Sequence, residues 1–463
     1  MALTVPVAEI VESSKNPLLG KHESWGRVLL GDIAIIQNGF PFKSSQFTRD
    51  EGMPLIRIRD VGADSSDTYY VGDYDPAFIV KAGDLLIGMD GDFNCARWRG
   101  PDGLLNQRVC RVILKSDIYH PKLLDYALPG YLKAINDMTS SVTVKHLSSK
   151  SIAEIPLPLP PMDQQKRIVA EIEKQFSRLD EAVANLKRVK ANLKRYKATV
   201  LKAAVEGRLV ETEAELARSE GRNYETGAQL LQRILEPRRS QWKGKGKYKE
   251  PTAPDTTDLP ELPEGWVWAT VEQLVTEMMN GYGKRSQVGG EPRIVLRLAD
   301  IIDSEISFVD VRRINCTDEE VGKYALSEND LLILRVNGSP DLVGRFVLVR
   351  QTPAAVLYCD HFIRARCATP DFAIWLRIYS EVDRFRRYID LNKVSSAGQN
   401  TVNQGVLAQF AIPLPPINEQ RRIVAEVDRH LSLASEAEAQ VNANLQRAER
   451  LRQSVLQSAF RCA

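Results

Sequence analysis

The stretch Leu159–Glu171 reads LPPMDQQKRIVAE, and Leu414–Glu426 reads LPPINEQRRIVAE. Internal repeats fix an architecture before any single motif does, and this one divides the chain into two similar halves. In both copies Pro-Pro stops the preceding segment and suits the opening of a helix. Asp163 and Asn418 stand where a helix N-cap is wanted. After the first copy, apolar residues recur in steps of three and four at Ile168, Ile172, Phe176, Leu179, Val183, Leu186, Leu193, Tyr196 and Val200. After the second they recur at Ile423, Val427, Leu431, Ala434, Val441, Leu445, Ala448, Leu451 and Val455. That is the stripe of a coiled-coil helix. The first run, Gln164 to Val205, is about 40 residues and spans roughly 60 Å. One narrow stripe on so long a helix needs a partner. Its own repeat is the nearest at hand; a second copy of the chain is the alternative. Antiparallel pairing would set the two globular parts at opposite ends about a pseudo-twofold axis.

Upstream, the halves match more loosely. Trp25 answers to Trp268, Asn38-Gly39-Phe40 to Asn280-Gly281-Tyr282, and Ile56–Asp60 to Leu296–Asp300. Gly83–Ile87 answers to Asn329–Ile333. Short β-type runs bounded by Gly, Asp and Pro occur at Gly31–Ile36, Pro54–Arg59 and Val109–Leu114. In the second half they fall at Arg293–Leu298, Asp330–Val336, Gly344–Val349 and Asp360–Arg366. Helices are expected at Lys122–Met138 and Phe372–Ile389. The fold class is therefore mixed α/β (α+β): two globular domains, 1–155 and 263–410, and two long antiparallel coiled-coil helices, 160–208 and 415–461. A connector, 209–262, carries a short helix near Ala228–Glu236 and then an extended Pro-rich stretch.

Composition bounds function. Hydrophobic residues make up 43% and charged residues 26% of 463, the balance of a globular protein. No apolar run approaches a membrane span, and Met1–Gly20 has no basic start leading into an apolar core. Six scattered cysteines without a CxxC pair point to reduced thiols in a cytoplasm. The net charge of +2 does not by itself argue for nucleic acid. Arg233–Lys249 concentrates seven basic residues against one acid, either as a solvated linker or as a phosphate contact.

Catalytic signatures are missing. There is no G-x-x-x-x-G-K-[S/T] phosphate cradle, no Asn-Pro-Pro-Tyr-like methyltransferase box, no Glu-x-Lys of a nuclease metal site, and no His-x-x-x-His pair. Cys359-Asp360-His361 is the most tempting cluster, but it fits a strand, so no catalytic or metal residue is expected. Bases are read by Arg, Lys, Asn, Gln and Ser on exposed loops. Candidates in the first domain are Lys43, Ser44, Arg57, Arg97, Arg99, Lys145 and His146. In the second they are Lys284, Arg285, Arg293, Arg335, Asn337, Arg345, Asn400 and Asn403.

Two divergent domains, each closed by an I-P-L-P-P-x-x-x-Q-x-R-I-V-A-E-type helix entry, resemble the specificity subunits of type I restriction-modification enzymes. The carriers are Ile155–Glu171 and Ile412–Glu426. Leu262-Pro-Glu-Gly-Trp-Val-Trp268, Val200–Leu209 and Asn38–Phe47 are also similar to that family. The resemblance implies a non-catalytic subunit that reads two short half-sites of double-stranded DNA, with the helix pair setting the spacer between them. It implies two modification (methyltransferase) and two restriction subunits as partners. It places S-adenosylmethionine and the adenine chemistry on the modification subunit, with no cofactor on this chain. A coiled-coil scaffold that binds no DNA is the alternative; it leaves two divergent domains with polar loops unexplained.

Overall fold

The structure is a computed structural model; it describes residues 5–14, 16, 19, 24–138, 146–242, 246–285, 289–353 and 355–462. The chain divides into two compact units. One comprises residues 1–188 and 441–463, the other residues 189–440.

In the first unit, strand Gly26–Leu29 pairs antiparallel with Pro156–Leu159, the strand that ends in the repeated Pro-Pro. A four-stranded sheet follows in the order Ala34–Asn38, Val109–Leu114, Leu85–Gly88, Cys95–Arg97. Alternation along Leu85–Gly88 sends Leu85 and Ile87 to one face and Leu86 to the other. Leu85 and Ile87 join Leu123, Leu124 and Tyr131 of helix Pro121–Met138, together with Val7, Ile10 and Val11 of helix Val7–Ser13. Leu86 packs with Ile56, Trp98 and Leu105 beneath a five-stranded sheet.

The second unit repeats the plan. Val267–Thr270 pairs with Ala411–Leu414. Its four-stranded sheet runs Val275–Asn280, Phe362–Cys367, Leu331–Leu334, Phe346–Leu348. Leu331 and Ile333 pack on Phe372, Leu376, Phe385 and Ile389, and Leu332 and Leu334 on Val295 and Tyr358. A three-stranded sheet of Val336–Asn337, Gln399–Thr401 and Val394–Ser396 is added at one edge.

Register corrects one pairing of the repeat. Gly26 lies opposite Leu159 and Val267 opposite Leu414, so the partner of Trp25 is Trp266, not Trp268. Trp25 Nε1 donates to Gln164 Oε1 (3.2 Å) and Trp266 Nε1 to Glu419 Oε1 (2.9 Å), at matching positions of the two helix entries. A bulge between Val275 and Glu277 adds one residue to the second copy. That bulge brings Asn38 and Asn280 back into correspondence.

The long helices run Met162–Val205 and Ile417–Cys462, 44 and 46 residues. Both begin two residues earlier than the cap assignment requires, so Asp163 and Asn418 lie in the first turn and are not N-caps. The bend into each helix is held instead by a buried glutamine. Gln165 Nε2 donates to Pro160 O (2.9 Å), and Gln420 Nε2 to Pro415 O (2.8 Å).

Within the first unit, Ile168, Ile172 and Phe176 meet Leu456, Ala459 and Phe460, and the Arg452 guanidinium lies over the Phe176 ring and pairs with Asp180. Within the second, Val200 and Ala204 meet Ile423, Val427 and Leu431, and Lys197 pairs with Glu438 at 2.7 Å. Early residues of one helix thus meet late residues of the other in both units, an antiparallel sense. The stripe is not a closed core. Ile168, Ile172, Ile423, Val427 and Val441 are buried, whereas Phe176, Leu179, Val183, Leu186, Leu193, Leu431 and Leu445 are only half-buried. Leu451 is 47% exposed, a correction to its expected core place. It borders a groove of about 560 Å³ lined also by Ile168, Ile172 and Val455. A helix with a single neighbour covers one flank of its stripe and leaves the other open.

Two further elements differ from expectation. Phe372–Ile389 is two helices, Pro370–Tyr379 and Asp383–Asn392. The connector holds helices Glu213–Glu220 and Gly227–Ser240; the first is signalled by its Thr212/Glu215 capping box. The Pro-rich stretch is pinned, with Trp268 Nε1 donating to Pro260 O and Thr270 Oγ1 to Thr252 O. Among the basic residues 233–249, Arg233 and Arg239 pair with Glu225 and Glu250, and Arg238 donates to the carbonyls of Glu272 and Gln273. Those three cations serve the fold. No helix among the described residues is long and apolar enough to cross a membrane.

Candidate nucleic-acid interface

In both units the Asn-Gly-aromatic segment leaves the edge of the four-stranded sheet and crosses a neighbouring turn. Gly39 N–H donates to Val109 O and Phe40 N–H to Leu105 O; Gly281 N–H donates to Phe362 O and Tyr282 N–H to Tyr358 O. The approach is so close that a Cβ on Gly39 would lie 2.0 Å from Asn106 O, and one on Gly281 2.1 Å from Cys359 O. Glycine is required here for space.

The second unit gathers cations around this crossing. Lys284, Arg285, Arg297, Arg312, Asp360 and His361 line a cleft of about 250 Å³. Lys284 Nζ bonds Glu320 Oε1 (2.7 Å). That contact, aided by the Thr317 N–H, holds the Glu320 carboxyl at about 2. Cys359, Asp360 and His361 bring their ligand atoms within 4.8 Å of one another. The surrounding cations oppose a metal ion there, and burial raises the Cys359 thiol. The segment forms the turn at the crossing, with Asp360 N–H donating to Tyr282 O. Arg335 joins cleft and added sheet: its N–H donates to His361 O, its guanidinium to Asp360 O, and its carbonyl accepts from Val402 N–H. Asn337 and Asn400 sit on that sheet, where Asn400 Nδ2 donates to Gly338 O (3.1 Å). Asn403 caps the helix Gln404–Gln409. Lys284, Arg285, Arg335, Asn337, Asn400 and Asn403 are therefore linked along one contiguous surface. Arg345 pairs with Glu381 at 3.2 Å and donates to Asp341 O. Arg293 is half-buried on strand Glu291–Leu296.

In the first unit Lys43 and Ser44 are exposed on the loop after Phe40. Arg57 lines a cleft of about 630 Å³ with Arg49, Arg59 and residues Ser66–Tyr69, and Arg59 donates to Thr68 Oγ1 (3.0 Å). His146 Nδ1 lies 2.5 Å from Asp90 Oδ1, and Arg108 3.3 Å from Asp90 Oδ2. Lys145 lies outside the described residues. Arg99 is exposed. Arg97 bonds Asp125 (2.6 Å) and Gly83 O (2.6 Å), which ties strand to helix.

Sequence reasoning missed Arg49, Arg59, Arg108, Arg297 and Arg312. Arg59 was accessible from the Arg-Ile-Arg alternation at 57–59. Arg108 and Arg312 come to their places only through the folding of distant strands.

Two basic surfaces on two copies of one architecture, the second also bearing the amides of Asn337 and Asn400, define a protein with two recognition heads. Comparison with known proteins supplies the family. Residues 22–195 match the type I restriction modification DNA specificity domain. The chain is 33% identical to the specificity subunit of type I restriction enzyme EcoBI from Escherichia coli, covering 98% of this chain and 89% of that one. It is 26% identical to the StySPI specificity subunit from Salmonella potsdam, covering 95% and 89%. A solved structure from work on complex assembly and conformational transition of the type I R-M system superposes with a TM-score of 0.62 at 18% identity, over 95% of this chain and 98% of that one, a likeness of fold. The chain belongs to the type I restriction enzyme specificity subunits, the non-catalytic members that recognise DNA.

Proposed function

We propose that each unit reads one half-site of a split duplex sequence and that the long helices set the spacer between them. As a specificity subunit the chain binds DNA and works with modification and restriction subunits; two of each complete the complex. The base edges are read chiefly in the major groove, where all four base pairs are distinguishable. S-adenosylmethionine binds the modification subunit, which methylates adenine where this chain places it.

One observation carries the proposal: the units repeat one architecture, yet the side chains on equivalent surfaces differ. Asp90, His146 and Arg108 occupy the first edge; Arg335, Asn337 and Asn400 occupy the second. A shared frame with different readers suits a target of two unlike halves. The test is a single-molecule methylome of cells carrying this gene with its neighbouring modification gene, against cells lacking only this gene. A methylated split motif that vanishes with the gene is expected; methylation unchanged by the deletion refutes the proposal.

A further inference from the structure

We infer that the hairpin Val394–Thr401 is the base-reading element of the second unit, acting through Val394, Ser396 and Gln399. The inference rests on the DNA-reading function above and names the residues that execute it.

Strands Val394–Ser396 and Gln399–Thr401 pair antiparallel, Val394 with Thr401, Ser395 with Asn400 and Ser396 with Gln399. They are joined by Ala397 and Gly398, with φ of 47° and 76°, the two positive values that a tight type I′ turn requires. Side chains alternate between the faces of such a ribbon, and here the two faces have different fates. Ser395 and Asn400 share one face and are spent internally: Ser395 Oγ donates to Asn400 Oδ1 (2.7 Å) and Asn400 Nδ2 to Gly338 O. Asn400 is thus a positioning residue. The other face carries Val394, Ser396, Gln399 and Thr401. The side chains of Ser396 and Gln399 are exposed and make no hydrogen bond to the described residues beyond the backbone pairing of the ribbon. Val394 is 64% exposed, a β-branched apolar side chain left in water with no packing role.

A lone two-stranded hairpin is marginally stable. This one is stiffened by the third strand, Val336–Asn337, and by the Asn400 amide, so its outward face is presented in a fixed geometry. From Leu391 to Asn418 the sequence has no Asp or Glu, so nothing on the ribbon repels a phosphate backbone. Arg335 joins its base to the cleft of Lys284, Arg285, Arg297 and Arg312, cations suited to flanking phosphates.

A two-stranded ribbon is one of the elements the major groove admits, and its chemistry matches this face. A glutamine amide pairs bidentately with adenine N6 and N7, a serine hydroxyl bonds either kind of edge, and an apolar side chain packs on the thymine methyl. The Val394 rung stands two pairs back from that of Gln399, roughly 7 Å along the ribbon, about two base-pair steps. The structure assigns an adenine to Gln399 and a thymine methyl, about two steps away, to Val394.

The experiment uses the chain in complex with its modification subunit. Gln399→Ala, Ser396→Ala, Val394→Ala and Gln399→Glu are compared by methylome sequencing and by binding to duplexes in which each base pair of the second half-site is exchanged. Gln399→Ala is expected to lose roughly 5- to 150-fold discrimination at one adenine, with the first half-site and spacer unchanged. Gln399→Glu is expected to shift that preference toward cytosine, whose N4 donates. Unaltered motifs in all four variants overturn the assignment. So does a uniform loss of affinity over all sequences with a shallower salt dependence, the mark of a phosphate contact. If the wild-type complex directs no split motif, the function itself fails; if it does and the variants keep it, only the hairpin assignment fails.

Discussion

Replacing Gly281 by alanine should break the crossing that carries Lys284 and Arg285 to the second interface. The added Cβ would sit 2.1 Å from Cys359 O and 2.6 Å from Tyr358 O, backbone atoms that accept from Phe362 N–H and Tyr282 N–H. Ordinary contact begins near 3.4 Å, so the two segments must part by more than an ångström. That separation breaks the bonds Tyr282 N–H to Tyr358 O (2.8 Å) and Asp360 N–H to Tyr282 O (3.2 Å). Each backbone bond contributes about 0.5–1.5 kcal/mol net, and the residual overpacking costs about 1–3 kcal/mol. The sum is about 2–6 kcal/mol, or roughly 4–24 °C in melting temperature for a unit of this size. Calorimetry of the chain with its modification subunit measures the shift, and the methylated motif should lose its second half-site alone. Gly39→Ala, whose Cβ would meet Asn106 O at 2.0 Å, should cost as much and remove the first half-site instead. Gly283→Ala is the control: its Cβ would find only Asp360 Oδ2, at 3.9 Å. A Gly281→Ala chain with wild-type melting and an intact motif would show that the close approach does not exist.

Arg364 is 1% exposed, bonds Glu277 and the carbonyls of Lys323 and Ala325, and stacks near the Tyr358 ring. Arg364→Met should cost about 3–5 kcal/mol by stranding those partners; a urea midpoint within error of wild type would count against the bond network. Burial raises the Glu419 carboxyl above its ordinary 4.5. A raised value means the folded state holds the proton longer, so this group's contribution is full below about 4.5 and is lost as pH rises through the folded value. The stability of wild type relative to Glu419→Gln should therefore decline from pH 4.5 toward neutrality; a difference flat with pH, measured by urea titration, refutes the shift. Inserting seven residues after Arg188 and seven after Gln440 lengthens each helix by about 10 Å and preserves the stripe. The methylated motif should then keep both half-sites and gain about three base pairs of spacer; an altered half-site with the old spacer would contradict the ruler.

The sequence by itself determined the two-fold plan, because the plan is written in local signals. A Pro-Pro break, a repeated thirteen-residue entry and a three-four apolar spacing each act within a few turns of chain. Family membership was legible for the same reason: the entries at Ile155 and Ile412 survive in both copies. The tertiary structure decided what depends on residues distant in sequence. Strand register, not spacing, paired Trp25 with Trp266, because a one-residue bulge at Val275 shifts everything after it. A single helix neighbour left Leu451 open although its spacing matched that of Ile423. Among the interface candidates, chemistry alone could not separate Arg97, bound to Asp125, from Arg57, which faces an open cleft. Nor could it show that Asn400 spends its amide on a carbonyl while Gln399, one residue before it, points outward. A β-ribbon reverses direction at every residue, and only the pairing of the strands decides which face meets the protein and which is left for a ligand.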